Sequence, residues 1–169
     1  MTLIPFDVND ADLRNEFFRH LLFDALSALR DDTRPGWGRM TAQQMVEHLI
    51  WAVELSTGKA QAVCAFPEAQ RERFKALLHD SRPTPREFQN PLLAAGLPPP
   101  RYADAADATA ALRPEVTFFL DQAKATPGAV RMHPVFGPIA AEEWARSHFK
   151  HCYHHLRQFG LISEGNNVS

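Results

Sequence analysis

Four histidines lie within eight residues near the end of the chain, in the stretch HFKHCYHHLRQFG at residues 148–160. Among them, His151 and His155 are four residues apart, a spacing that puts two imidazoles on one face of a helix. Two imidazoles placed in this way can bind one divalent ion. A single helix cannot complete a buried metal site, so another ligand must come from elsewhere in the chain.

Helical geometry separates the four histidines of this stretch. At 100° per residue, His148, His151 and His155 fall along one edge of the apolar stripe of the last predicted helix. His154 falls on the polar side of the same helix. We therefore expect three of these histidines to face the inside of a helical bundle and His154 to face outward.

A third ligand is expected from a helix about a hundred residues upstream. Thr41 and Gln44 form a T-x-x-Q capping box that predicts the start of this helix, and Gly58 predicts its end. Its inward face carries Met45, His48, Leu49, Ala52 and Leu55. Outside the last helix, His48 is the histidine placed on an inward helical face, so it is the candidate that completes the site. Three protein ligands leave an open coordination position, as catalytic metal sites require.

Each of these residues also has an ordinary structural explanation. An i, i+4 histidine pair alone is a weak motif, so it carries weight only together with an inward histidine on a second helix. His20, among polar neighbours, and His79, at the end of a short helix, are expected at the surface. Cys152 lies on the apolar stripe of the last helix and is expected to be a buried structural thiol rather than a nucleophile.

The elements before the second helix and after it are also predicted to be helical. The first helix is expected to start near Asn9, an N-cap that faces Asp12 at the third helical position. The apolar stripe of this first helix consists of Phe18, Leu22, Ala25 and Leu29. A short helix is expected over about residues 67–79.

The third long helix is predicted over about residues 105–125, but it contains Pro114. A proline inside a helix removes one hydrogen bond and clashes with the preceding turn, so the helix either kinks at Pro114 or begins there. The stretch HPVFGPIAAEEW reads as a turn-rich link into the last helix, which runs to about Phe159 and is stopped by Gly160.

A long crossover connects the second and third helices. Residues 81–102 contain six of the 13 prolines of the chain, which favours extended backbone over a long helix. In a chain of this size such a connection is expected to form a functional wall or lid. It also allows the two helices to run parallel. We therefore predict one all-α domain over residues 1–169, a four-helix bundle with this crossover.

Composition narrows the classes of partner. The chain is 45% hydrophobic with a formal net charge of −2 and has no Lys/Arg cluster, so nucleic acid is not an expected partner. No apolar run approaches the ~18 residues that a membrane span needs. The start MTLIPFDVNDAD lacks the pattern of a signal peptide, and Cys64 and Cys152 lie far apart in the sequence. These observations favour a cytoplasmic protein without disulfides.

Two blocks of the sequence resemble a known family. HCYHHLRQFG resembles the closing motif of the DinB-like superfamily, in which a helix carries H-x-x-x-H and a nearby glutamine. MTAQQMVEHL is similar to the second helix of that superfamily, which carries a metal-binding histidine. WGRMTAQQMVEHL together with HPVFGPIAAEEWARSHFKHCYHHLRQFG looks closest to one branch of it, over about 40 of the 169 residues.

The resemblance implies a fold and a set of metal ligands. It implies an up-down-down-up four-helix bundle in which His48, His151 and His155 bind a divalent metal, nickel or zinc above all, while His154 is not a ligand. His148 has no ligand counterpart and is a candidate for supporting the ring of a ligand from outside the coordination shell. The resemblance also implies a homodimer. The chain departs from the branch at Ala140, where Ser or Thr commonly caps the last helix.

Three functions from different classes follow from this site. The first is a metal-dependent enzyme of thiol-S-transferase type, acting on a small molecule together with a low-molecular-weight thiol, as in known superfamily members. His133 would then act as an acid or base or bind substrate, or it simply packs beside Phe136; Trp37 would line the pocket or pack in the core. The second is metal-dependent hydrolysis, with Glu47 or Glu54 as the base. The third is a non-catalytic binding or stress-response module that the metal staples together.

Overall fold

Three long helices dominate the computed structural model, which describes residues 2–86 and 98–164. They are α3 (Ala42–Thr57), α5 (Ala105–Ala125) and α6 (Ala141–Gln158). α3 packs against both α5 and α6. The protein is therefore mainly α-helical, as predicted. Within the two described ranges no helix combines the length and the apolar composition that crossing a bilayer would require.

Shorter helical segments flank these three. The chain enters α3 through α1 (Ala11–Glu16), a π-helical turn (Phe17–Leu21) and α2 (Leu22–Leu26). After α3 come α4 (Glu68–Lys75) and a 3₁₀ turn (Ala76–Leu78), close to the short helix predicted over 67–79. The apolar stripe predicted for the first helix is buried throughout, from Phe18 to Leu29.

Two small strand pairs accompany the helices, which the all-α prediction missed. β1 (Thr2–Ile4) pairs in parallel with β4 (Ile162–Glu164), and β2 (Val130–His133) pairs antiparallel with β3 (Gly137–Ala140). Each strand has only three or four residues, too few to show a period of two in the sequence. β2 alternates apolar and polar residues over only four positions and is mostly exposed, which is too short a run to predict a strand. β3 lies within the segment predicted as a turn-rich link.

The N-cap of the first helix lies one residue later than predicted. Asp10, not Asn9, caps α1, because the Asp10 carboxylate accepts a hydrogen bond from the backbone N–H of Leu13 at 2.9 Å. Two adjacent residues with good N-cap side chains made both positions plausible. The Asn9 amide instead donates to the carbonyl oxygen of His79 at 3.0 Å, which ties the end of the short helical segment to the start of the chain.

The predicted capping box of α3 is confirmed. The Gln44 backbone N–H donates to Thr41 Oγ1 at 3.2 Å, and the Thr41 N–H donates to Gln44 Oε1 at 2.9 Å. Gly58 closes the helix with a left-handed backbone at φ 82°, as the sequence predicted. All five residues of the predicted inward face, including His48, are buried. The start and the register of α3 fix where His48 lies.

α5 is one continuous helix across Pro114, which confirms the predicted range of 105–125 and excludes the alternative that the helix begins at this proline. Its start is set by Asp104, whose side chain accepts a hydrogen bond from the Asp107 N–H at 2.8 Å. Pro114 lies on the exposed face, as does Ala110, whose carbonyl loses its helical partner to the proline. Water can satisfy that carbonyl, while buried Leu112 and Phe119 hold the opposite face.

The last helix begins without a side-chain cap, as the alanine at position 140 implied. Only half of a capping box remains there, in which Glu143 Oε2 accepts a hydrogen bond from the Ala140 N–H at 3.3 Å. α6 ends at Gln158, one residue before the predicted end, and Gly160 adopts a positive φ of 66° just beyond it. The sequence thus placed the end of α6 to within a residue, whereas the link predicted over HPVFGPIAAEEW overlaps the first turn of the helix.

Both ends of the proline-rich crossover are tied to the helices that carry the histidines, although residues 87–97 lie outside the described part of the chain. At one end, the Lys150 ammonium of α6 donates to the carbonyl oxygens of Asp80 and Arg82 at 2.7 and 2.8 Å. At the other end, the Glu47 carboxylate of α3 accepts hydrogen bonds from the backbone N–H groups of Arg101 and Tyr102. The crossover therefore begins against α6 and ends against α3.

The capping box gives a prediction about stability. A Thr41→Ala variant loses the side-chain acceptor at the start of α3, and its free energy of unfolding should fall by about 1 kcal/mol. Thr41→Ser keeps a hydroxyl acceptor and is the matched control. Chemical denaturation at constant pH measures both. An alanine variant as stable as the serine variant would contradict a stabilising role for the cap.

Candidate metal centre

Three imidazoles from two helices converge between α3 and α6. His48 Nε2 lies 2.9 Å from His151 Nε2, which lies 3.0 Å from His155 Nε2. One ring nitrogen of each residue lies within 4.8 Å of the other two. The ring of His48 is nearly perpendicular to both of its neighbours, at 86° and 84°. The structure thus brings together the three residues that the sequence proposed as ligands.

Local structure explains this convergence. His151 and His155 are one helical turn apart on α6, so their rings point the same way. His48 is held from the other side by the buried face of α3, and its ring stacks on Trp51 with centroids 5.9 Å apart and planes at 24°. His48 and His155 are buried, and His151 is half-buried. The nitrogens therefore meet in a cleft that is largely screened from water.

Burial keeps the three imidazoles neutral. It lowers the pKa of His48 to about 4, with a smaller contribution from the nearby His154. It also lowers the pKa of His151 and His155 well below 6.5, and the neighbouring histidines push in the same direction. A neutral imidazole has a free lone pair, which is the form that binds a metal ion.

Gln158 links the cluster of His48, His151 and His155 to the loop before α3. Its Oε1 lies 2.7 Å from His155 Nδ1, and its Nε2 donates to the carbonyl oxygen of Trp37 at 2.8 Å. Its own backbone carbonyl accepts a hydrogen bond from the Gly36 N–H at 2.7 Å. The closing sequence motif includes this glutamine, but the motif alone does not predict its role. The signal was its position three residues after His155, on the same helical face.

His148 makes its hydrogen bond to Ser56, at 2.8 Å from Nε2 to Oγ. The Ser56 hydroxyl itself donates to the carbonyl oxygen of Val53 at 2.7 Å, so its oxygen accepts from the His148 ring. The ring lies between Phe119 and Trp144, with centroids at 4.9 and 5.2 Å. This hydrogen bond joins α6 to the last turn of α3. The supporting role predicted for His148 toward a ligand stays a prediction.

His133 holds the β2–β3 turn together. Its Nδ1 accepts hydrogen bonds from the backbone N–H groups of Val135 and Phe136, so the ring hydrogen is on Nε2, which donates to Ser147 Oγ at 3.1 Å. The ring packs on Phe136 with centroids 4.4 Å apart, as the structural alternative proposed. Burial lowers its pKa to about 3. Both ring nitrogens have partners here, and the catalytic role of His133 stays a prediction.

The expectation that His154 faces outward is wrong, because the side chain is buried. Its ring meets the rings of Trp37 and His155 at centroid distances of 5.7 and 5.2 Å, and its Nδ1 lies 3.4 Å from the carbonyl oxygen of Thr84. Residues 80–84 cover the side of α6 that the helical wheel classified as polar. A periodicity argument cannot foresee a loop that folds over a helix.

Trp37 is half-buried beside the closing helix. Its carbonyl holds Gln158, its indole ring meets the edge of His154, and the guanidinium of Arg86 lies 4.7 Å from the ring centroid. Gln158 thus bridges Trp37 and His155, one of the three proposed ligands, through a hydrogen bond to each. Its predicted role as a pocket wall stays a prediction.

The remaining candidates behave as structural residues. Cys152 is buried, as predicted, and burial raises the pKa of its thiol to about 12. His20 and His79 are exposed, as predicted.

The two carboxylates considered as bases for hydrolysis are engaged elsewhere. Glu47 accepts hydrogen bonds from two backbone N–H groups of the crossover, and Glu54 forms an ion pair with Arg101 at 2.9 Å. Both carboxylates therefore anchor the end of the crossover.

A family model described as the DinB superfamily matches residues 14–159, a range that includes all three histidines and Gln158. The chain belongs to the DinB superfamily. No curated protein and no solved structure matches it. The matched range spans both helices that carry the histidine cluster, α3 and α6.

The donor set of this DinB chain fits the metal that the superfamily implies. The neutral Nε2 atom of His151 lies about 3 Å from the Nε2 atoms of both His48 and His155. Lone pairs this close repel one another unless a hydrogen or a cation lies between them. Imidazole nitrogen suits zinc, copper, iron and nickel. His48, His151 and His155 would hold the ion, and within the described residues the group contains no fourth ligand-type side chain.

Buried neutral histidines predict how the stability of this DinB protein depends on pH. Burial lowers the pKa of His148 from 6.5 to about 3, so below pH 6.5 the unfolded chain binds a proton that the folded chain does not. Each such group lowers the free energy of unfolding by about 1.4 kcal/mol per pH unit as pH falls from 6 toward 4. The metal-free protein should therefore lose stability steeply in that window.

A His148→Phe variant should show a slope smaller by about that amount, since one titrating group is gone. Denaturant unfolding measured from pH 7.5 to 4.5 gives the slopes. His20→Phe, at an exposed histidine, is the control, and its free energy of unfolding should depend on pH as that of the native protein does. An unchanged slope in the His148 variant would show that this ring is charged in the folded state.

Proposed function

We propose that this DinB-superfamily protein binds one divalent metal ion through His48, His151 and His155 and is a metal-dependent enzyme of thiol-S-transferase type. The observation that carries the proposal is the convergence of three neutral Nε2 atoms from two helices, on two buried histidines and one half-buried histidine. Three protein ligands are the number found in catalytic zinc sites, which keep a position open, whereas structural sites use four.

The residues of the site determine its electrostatics. All three donors are neutral, so they do not compensate the charge of a bound cation. A divalent ion in such a setting lowers the pKa of a thiol or a water molecule that binds it. Nickel or zinc is the proposed ion, because both accept imidazole ligands. Trp51, stacked on His48, forms one apolar side of the cleft and limits access of water.

An external thiol is the nucleophile that suits this site. The hydroxyl oxygens of Ser56 and Ser147 accept hydrogen bonds from histidine N–H groups, so neither histidine can take a proton from them. The Cys152 thiol is held protonated by burial, with its pKa raised to about 12. Activated nucleophiles need an adjacent base or a lowered pKa, and these side chains have neither. A small-molecule substrate and a low-molecular-weight thiol would therefore both come from solution.

A non-catalytic role is the second candidate, since the three histidines connect α3 to α6 and a bound ion would staple the two helices together. A metal-dependent hydrolase is the weaker alternative, because Glu47 and Glu54 are occupied by the crossover. The thiol transferase and the non-catalytic module differ in one measurable property, which is turnover.

The proposal extends to the architecture. The packing of α3 against α5 and α6, with the long crossover between α3 and α5, supports the up-down-down-up four-helix bundle that the superfamily implies. A single domain over residues 1–169, a homodimer and a cytoplasmic location complete the proposed description, with no nucleic acid or membrane partner.

Metal content is the first test. Protein prepared without a histidine tag and reconstituted with nickel or zinc should hold about one ion per chain by elemental analysis. His151→Ala removes the central ligand and should release the metal on gel filtration. His20→Ala, at an exposed histidine, should retain it. Native protein without metal after reconstitution would refute the site.

Turnover is the second test. Metal-loaded protein is incubated with low-molecular-weight thiols and electrophilic acceptors, and loss of free thiol is followed over time. We expect consumption at least about tenfold faster than with His151→Ala, since removal of a ligand from a catalytic shell costs that much or more. Metal binding without turnover of any thiol or ester would favour the stapled, non-catalytic module instead.

A further inference from the structure

We propose that Gln158 is a positioning residue that fixes the tautomer of His155, so that its Nε2 lone pair faces the metal site before any ion binds. The inference deepens the proposed metal-binding function and rests on it. It follows from the directions of two hydrogen bonds, which run from the main chain of the loop before α3 to the ring of His155.

The carbonyl of Trp37 sets the direction of both hydrogen bonds that Gln158 makes. The carbonyl oxygen of Trp37 can only accept, so the group of Gln158 that lies 2.8 Å from it is the amide NH₂. The amide oxygen of Gln158 then faces His155 Nδ1 at 2.7 Å. Since this oxygen also only accepts, Nδ1 must carry the ring hydrogen. A neutral imidazole with its hydrogen on Nδ1 has its lone pair on Nε2.

The reversed amide is excluded by the same partners. A flipped Gln158 would set its oxygen against the Trp37 carbonyl, and two acceptors would meet without a hydrogen between them. Gln158 and His155 are only 6% and 5% exposed, so water does not relieve such a contact. The tautomer of His155 is therefore determined by a main-chain carbonyl more than a hundred residues away.

The loop before α3 is shaped around this side chain. Gly38 has a φ of 80°, a left-handed backbone conformation that favours glycine. A Cβ at this position would lie 2.7 Å from Gln158 Nε2, which is closer than Cβ atoms come to other heavy atoms in proteins. The Gly36 N–H meanwhile donates to the backbone carbonyl of Gln158. Loop and glutamine thus fit each other at both main-chain and side-chain level.

Two substitutions at the same position separate the acceptor of Gln158 from its other contacts. Gln158→Met keeps the length of the side chain and loses both hydrogen bonds. Gln158→Glu keeps an acceptor for His155 Nδ1 but loses the donor to the Trp37 carbonyl. Loss of the hydrogen bond to the loop is common to both variants, so their difference reports the acceptor for His155 Nδ1 together with the charge that Gln158→Glu adds.

The affinity for Zn²⁺ is measured by competition with a chromophoric chelator, using untagged protein. We expect Gln158→Met to weaken binding by about 10- to 100-fold, the range for loss of a partner to a metal-binding histidine. Gln158→Glu should bind at least as tightly as the native protein, and Gln70→Met, at an exposed glutamine on α4, should not differ from it. Equal weakening in both position-158 variants would reduce Gln158 to a loop anchor and overturn the inference, as would native affinity in Gln158→Met.

A second readout does not depend on the metal. Long-range ¹H–¹⁵N NMR of metal-free native protein distinguishes the two tautomers of each neutral histidine, and a His155→Gln variant assigns the signal. The hydrogen should be on Nδ1 of His155; a hydrogen on Nε2 overturns the inference. If native protein fails to bind Zn²⁺ while Nδ1 carries the hydrogen, the proposed metal function fails and the positioning of His155 stands.

Discussion

The contact of three imidazole nitrogens between α3 and α6 is the interaction around which the molecule is organised. Ring nitrogens of His48 and His151 that lie 2.9 Å apart on separate helices require each helix to have the right start, register and depth. The capping box fixes α3 and the turn at Gly160 ends α6, so His48 meets the pair at His151 and His155. Burial then keeps the rings neutral, which makes the cluster a set of donors instead of a set of mutually repelling charges.

The sequence was sufficient for the features that depend on local chemistry. Capping residues, terminal glycines and helical periodicity placed α3, α5 and the end of α6 to within about a residue and put His48 on the inward face. Even Pro114 proved compatible with one helix, because it falls on the exposed side. These predictions succeeded because each signal acts within a few residues of the element that it defines.

The features that the sequence did not reveal depend on contacts between distant segments. His154 is buried because residues 80–84 fold over α6, and no periodicity contains that information. The β2–β3 hairpin was missed because its strands are short and its outer strand is exposed. Gln158 was visible as part of a motif, but its function depends on the Trp37 carbonyl, which only the folded chain brings near.

The glycine–tryptophan–glycine loop holds the closing helix through its main chain, not through its indole. The carbonyl of Trp37 and the N–H of Gly36 make the hydrogen bonds to Gln158, while the indole lies between His154 and Arg86. The main chain of this loop therefore supports the ring of His155, while the side chain of residue 37 forms the surface beside it. A different side chain at position 37 would therefore change the contacts with His154 and Arg86 while the carbonyl that holds Gln158, and through it the ring of His155, is kept.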